Sequence, residues 1–103
     1  MLSIHKTIAD GRAVFVLSGR LDTVTSPQLD RELRTSLEGV TELILDMKDL
    51  VYLSSAGLRV LLVTQRTMAE QGEMKVIHAN EIVMEIFEVT GFLNILTVEG
   101  AEP

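Results

Sequence analysis

The chain has 103 residues, a formal net charge of −6 and no cysteine. That length fits one compact domain, residues 1–103, and the missing cysteines exclude disulfides and thiolate chemistry. Nine Lys and Arg against fifteen Asp and Glu argue against nucleic acid or an anionic membrane as partner and favour a basic protein surface. From the N-terminus, Leu2, Ile4 and Ile8 alternate as in a half-buried strand. Asp10-Gly11 is a tight-turn signal, and Ala13 to Leu17 reads as the returning strand of a hairpin over 2–18. Ser26-Pro27 marks a helix start, with Ser26 as cap and Pro27 in the first helical position. Leu29, Leu33 and Leu37 follow at spacing four, and Gly39 stops the helix. Leu43-Ile44-Leu45 before Asp46 predicts a strand buried on both faces.

A loop is expected next, delivering Ser54 and Ser55 to a second helix. Its apolar stripe is Leu58, Leu61, Leu62, Met68 and Ala69, and Gly72 ends it. Met74 to Ile77 reads as another buried strand. Asn80 can cap a third helix with Val83, Ile86 and Phe87 inward and Gly91 at its C-terminus. Ile95 to Val98 is a last short strand, and from Glu99 the tail is expected to fray. The order β-β-α-β-α-β-α-β predicts an α/β fold: a small mixed sheet with helices packed mainly on one face. No segment nears the ~20 apolar residues of a membrane helix, and the first residues lack an apolar signal core, so the expected location is the cytoplasm.

Enzyme chemistry finds little support. No Walker phosphate loop, G-x-G-x-x-G or H-E-x-x-H occurs. His5 and His78, the two histidines, lack metal-ligand spacing and are expected to be structural or solvated. Leu53-Ser54-Ser55-Ala56-Gly57 has the outline of a hydrolase nucleophile elbow but lacks its first glycine, because Leu53 stands there. The expectation is no enzyme, no cofactor and no metal.

Ser54 or Ser55 can serve simply as an N-cap, worth ~1 kcal/mol. The same place suits a phosphate, since free N–H groups and the helix dipole favour an anion. Gly57 would keep the neighbourhood uncrowded and let another backbone approach. Asp22 can bond its own turn or meet a partner. Asp49 and Arg59 read as solvated charges, with partner contact by Arg59 left open. Met47, Met68, Met74 and Met84 fall on separate elements and read as core or edge filler rather than a binding stripe.

Two segments carry a resemblance to the STAS domain, specifically to the stand-alone bacterial anti-sigma factor antagonists. Leu17-Ser18-Gly19-Arg20-Leu21-Asp22 with Thr25-Ser26-Pro27-Gln28-Leu29 is similar to the family's G-x-L-D and its [ST]-[AS]-P helix start. Leu45-Asp46 through Ser54-Ser55-Ala56-Gly57-Leu58 is similar to the family's strand followed by [DS]-S-x-G-L. The resemblance covers nearly the whole chain. It implies binding to an anti-sigma factor that is also a GHKL-type serine kinase, ejection on phosphorylation at Ser55, and restoration by a PP2C-type serine phosphatase. It also implies that Asp22 lies at the partner-binding surface; Ser54, Ser55, Gly57 and Arg59 are the further candidate partner-binding residues. Ser54 stands where many members have Asp, which leaves it as an alternative acceptor. The competing reading is a STAS scaffold or transporter-associated subunit that binds partners without a phospho-switch.

Overall fold

The computed structural model describes residues 1–100. Strands β1 (Leu2–Ala9) and β2 (Arg12–Leu21) form the opening hairpin around Asp10-Gly11. Helix α1 (Ser26–Ser36), strand β3 (Glu42–Leu53), helix α2 (Ser55–Ala69), strand β4 (Glu73–Ala79) and helix α3 (Glu81–Thr90) follow. A short 3-10 turn, Phe92–Asn94, leads to β5 (Thr97–Gly100). The sheet order is β1-β2-β3-β4-β5, antiparallel between β1 and β2 and parallel thereafter. Parallel neighbours joined in sequence need crossovers of one hand, and steps in one direction place every helix on one face. Phe15, Leu17, Leu43, Leu45, Met47 and Val76 from the sheet pack there with Leu29, Leu33, Leu61, Met68, Val83 and Phe87 from the helices in one core. The mixed sheet and one-sided helices are those expected from the sequence. No described helix is long and apolar enough to cross a membrane.

Several local expectations are corrected. Ser26 is not the cap of α1. Thr25 holds that position, and Ser26, already helical and 3% exposed, donates its hydroxyl to the Asp22 carbonyl. α1 ends at Ser36, capped at Leu37, before Gly39 is reached. Ala69 is exposed and Leu62 half-buried, while Thr64 is buried and satisfies its hydroxyl on the Val60 carbonyl at 2.7 Å. Glu99 and Gly100 belong to β5 rather than to a frayed tail; the rest of that expected tail, 101–103, lies outside the described residues.

The largest correction concerns 47–53, expected as a loop. Here β3 runs on to Leu53. Its pairing with β4 ends at Asp46↔Ile77, but pairing with β2 continues through Ser18↔Asp49, Gly19↔Leu50, Arg20↔Tyr52 and Leu21↔Leu53. Two register shifts each give β3 one extra residue, so its buried side chains fall at spacing three: Met47, Leu50 and Leu53. That spacing conceals the period-two signature of a strand. Asn80 secures this bulged stretch from the side. Its Nδ2 donates to the carbonyls of Met47, Lys48 and Leu50 at 3.2, 3.0 and 2.8 Å, while its Oδ1 accepts the Val83 N–H and caps α3.

Candidate functional site

The extended β3 brings Ser54 and Ser55 level with the end of β2. The Ser54 N–H donates to the Leu21 carbonyl at 2.9 Å, tying the entry of α2 to the residue before Asp22. Ser54 is the N-cap: its backbone is extended, and its hydroxyl accepts the Gly57 N–H at 3.3 Å. The Leu58 N–H opens the helical ladder on the Ser54 carbonyl at 2.9 Å. The choice left open by spacing is thus resolved, and Ser55 is the first helical residue. Ser55 is exposed, and its hydroxyl takes no hydrogen bond among the described residues. The N–H groups of Ser55 and Ala56 precede the ladder and point toward the open end of a 15-residue helix.

This division of labour has a measurable consequence. Ser54→Ala removes the cap and is expected to lower stability by about 1 kcal/mol, whereas Ser55→Ala changes it by less than about 0.5 kcal/mol. Urea melts of the two variants test this; equal losses would mean that the cap is shared.

Gly57 does not provide the open approach expected for it. It is buried, and a Cβ there would stand 2.8 Å from Leu21 Cγ and 2.9 Å from Leu53 Cδ1. The glycine lets the first turn of α2 settle onto the ends of β2 and β3, shaping the site from beneath.

Asp22 lies in the adjoining turn. Its Oδ1 accepts the N–H groups of Val24 and Thr25, each at 3.0 Å, with the Thr25 hydroxyl at 3.1 Å. Thr25 Oγ1 in turn accepts the Asp22 N–H at 2.9 Å and reaches the Arg20 carbonyl at 2.8 Å. The Thr25 N–H, ahead of partial desolvation acting the other way and of lesser hydrogen bonds from the Thr25 hydroxyl and the Val24 N–H, holds the Asp22 carboxyl below its ordinary pKa. Oδ1 therefore locks the loop. Oδ2 faces the Arg20 Nε at a loose 3.7 Å.

Arg59 is exposed on the rim of a groove of about 400 Å³ between α1 and α2, whose wall includes Pro27, Ala56, Val60 and Val63. The fold thus places Asp22, Ser54 and Ser55 at one end of the sheet, with Gly57 below and Arg59 one turn along α2. Sequence reasoning overlooked neighbours of this constellation. The Arg20 guanidinium lies 4.3 Å from the centroid of the Tyr52 ring. That pairing depends on the bulged register and has no local signature. Thr25, three residues after Asp22, did carry one, an acid-x-x-Thr spacing typical of side-chain-locked turns. Val24, Val51 and Tyr52 add apolar surface, 85%, 54% and 39% exposed.

Elsewhere, His78 Nδ1 stands 3.0 Å from Asp46 Oδ2, and His5 is exposed on β1. Met47, Met68 and Met74 are core residues, with Met84 packed against the core. Among the described residues no three His, Cys, Asp or Glu side chains gather as metal ligands.

A family model described as the STAS domain matches residues 3–102. BtrV of Bordetella bronchiseptica, provisionally described as an anti-sigma factor antagonist, is 36% identical over 94 residues, spanning 89% of this chain and 81% of BtrV. The crystal structure of an anti-sigma factor antagonist from Mycobacterium paratuberculosis superposes with a TM-score of 0.86 at 21% identity, covering 96% of this chain and 86% of the other. The anti-sigma factor antagonist SpoIIAA in its unphosphorylated form gives 0.81 at 21% identity, over 97% and 90% of the two chains. The phosphorylated form of SpoIIAA from Bacillus gives 0.74 at 20% identity, over 97% and 93%.

Proposed function

This chain belongs to the STAS domain family, and we propose that it is an anti-sigma factor antagonist switched by phosphorylation at Ser55. Its partner in this reading is an anti-sigma factor that is also a GHKL-type serine kinase, and a PP2C-type phosphatase resets the switch. The chain contributes no catalysis, metal or cofactor of its own and works where ATP is available, in the cytoplasm.

One observation carries the reading: Ser54 caps α2, which leaves the neighbouring Ser55 hydroxyl exposed and uncommitted. The kinase would bring ATP in line with Ser55 Oγ. The oxygen forms a bond to the γ-phosphorus as the bond to the β-γ bridging oxygen breaks, ADP leaves, and the hydroxyl proton passes to a base on the kinase. The new phosphate would sit against the uncommitted N–H groups of Ser55 and Ala56, where the helix dipole favours it, so the fold survives the modification. Docking would use Asp22 through Oδ2, together with Ser54, Ser55 and Arg59, over the floor that Gly57 keeps low. Val24, Val51 and Tyr52 supply apolar contact at the rim. The solved phosphorylated and unphosphorylated forms of SpoIIAA support the switch by analogy.

Incubation with the cognate kinase and ATP, followed by fragmentation mass spectrometry, tests the assignment. Phosphate is expected on Ser55 and is expected to disappear in Ser55→Ala. Full labelling of Ser55→Ala, with the phosphate on Ser54, would transfer the switch to the cap; no labelling of either serine would favour a constitutive binding module.

A further inference from the structure

Among the described residues, four of the ten large apolar side chains that remain exposed, Ile82, Val89, Leu93 and Ile95, fall within one short stretch, α3 and the turn after it. Along α3, Ile82, Ile86 and Val89 follow at spacings of four and three and form one row. Glu81, Glu85 and Glu88 repeat those spacings one residue earlier and form a second row beside it, all three exposed. None has a cationic partner among the described residues. The two nearest basic side chains in sequence are engaged elsewhere, Lys75 with Glu99 at 3.4 Å and His78 with Asp46 at 3.0 Å. No Lys, Arg or His follows His78.

Only part of this pattern serves α3 itself: Ile86 packs against the core, and Glu81 in the first turn suits the helix dipole. The core side of the helix is served by Val83 and Phe87, both fully buried. Like charges at Glu81/Glu85 and Glu85/Glu88 repel across successive turns. Glu88 lies in the last turn, where the helix dipole disfavours a carboxylate. Val89, 77% exposed, leaves apolar surface in water.

The geometry points to the outer face of α3 as a second docking surface, whose occupant is a basic amphipathic segment of a partner protein. Its apolar side chains cover Ile82 and Val89, and its Lys or Arg side chains meet Glu85 and Glu88. Charge complementarity selects this occupant. A second copy placed symmetrically on the same face would bring three carboxylates against three. An anionic membrane or a nucleic acid is repelled for the same reason. The surface does not depend on the Ser55 switch: Val89 lies nine residues beyond the Asn80 cap, about 13 Å down the helix axis.

Site-specific photocrosslinking in the native cell tests this, with a photoreactive phenylalanine analogue in place of Val89 and sequencing of the joined peptide. The expected adduct is a peptide that interleaves Lys or Arg with apolar residues. Glu85→Lys/Glu88→Lys is expected to weaken it at least tenfold, as is raising the salt in a lysate to about 0.5 M. The double variant keeps its melting temperature, because a cation suits the C-terminal turn of α3; the salt series makes the same test without any change of sequence. A peptide from a second copy of this chain, a peptide without basic residues, an adduct indifferent to both charge reversal and salt, or no adduct at Val89 would overturn the proposal.

Discussion

The Ser55-phosphorylated chain is expected to bind the proposed anti-sigma partner at least about a hundredfold more weakly than the unmodified chain, while Ser55→Ala binds within about tenfold of it. The reason lies in what each change does to an exposed, uncommitted hydroxyl. Phosphorylation adds about −1.5 to −2 charges and strongly hydrated oxygens at the centre of the proposed docking surface. A partner must strip that hydration or accept the charge, and an uncompensated buried charge costs several kcal/mol. Nucleotide phosphates left on the kinase repel it further. Ser55→Ala removes no cap, because Ser54 is the cap, so it loses at most one interfacial hydrogen bond, about 1 kcal/mol. Ser55→Asp carries one charge and lies between the two. As an acidic residue in the first turn it should melt within a few degrees of wild type, under about 1 kcal/mol. Titration calorimetry at fixed salt and nucleotide reads the affinities. If the phosphorylated chain, Ser55→Ala and the unmodified chain bind alike, Ser55 has no switching role.

Gly72→Ala is expected to cost about 3 kcal/mol or more and to lower the melting temperature by more than about 12 °C. A Cβ at Gly72 would lie 1.9 Å from the Thr41 carbonyl oxygen and 2.6 Å from its carbon. Those atoms are backbone, so no rotamer change relieves the clash. They are also committed, since the Glu73 N–H donates to the same Thr41 oxygen at 2.9 Å just before β3 and β4 begin to pair at Glu42↔Glu73. Any shift there propagates into the centre of the sheet. Gly39→Ala is the control. Its Cβ would meet nothing within 4 Å, although its φ of +78° carries a left-handed penalty of about 1–2 kcal/mol. Thermal melts should rank Gly72→Ala well below Gly39→Ala, and the reverse order would remove the steric account.

Gly72 also illustrates how far the sequence could be read. As punctuation shortly after a helical stripe it was legible, although α2 itself ends at Ala69 with Glu70 as its C-cap, two residues before the glycine. That its missing Cβ admits the Thr41 backbone just ahead of β3 was not, because Thr41 is 31 residues away. Asn80 divides the same way. Its cap on α3 follows from position alone, but its second role, holding the carbonyls of Met47, Lys48 and Leu50, exists only once α3 lies against β3.

Local chemistry determined the order of elements, the hairpin at Asp10-Gly11, the buried run at Leu43-Ile44-Leu45 and the serine pair at a helix start, since each depends on periodicity or a capping preference within a few residues. Motifs of similarly short range carried the family resemblance. Tertiary structure alone decided that 47–53 is strand, because its pairing with β2 is set by two bulges that erase the alternating pattern. It decided that Gly57 is packed rather than open, because Leu21 and Leu53 converge on it from two strands. And it decided which serine caps. Ser54 takes that role because its N–H is anchored on the Leu21 carbonyl across the sheet, and that anchor sets α2 in the register that leaves Ser55 free.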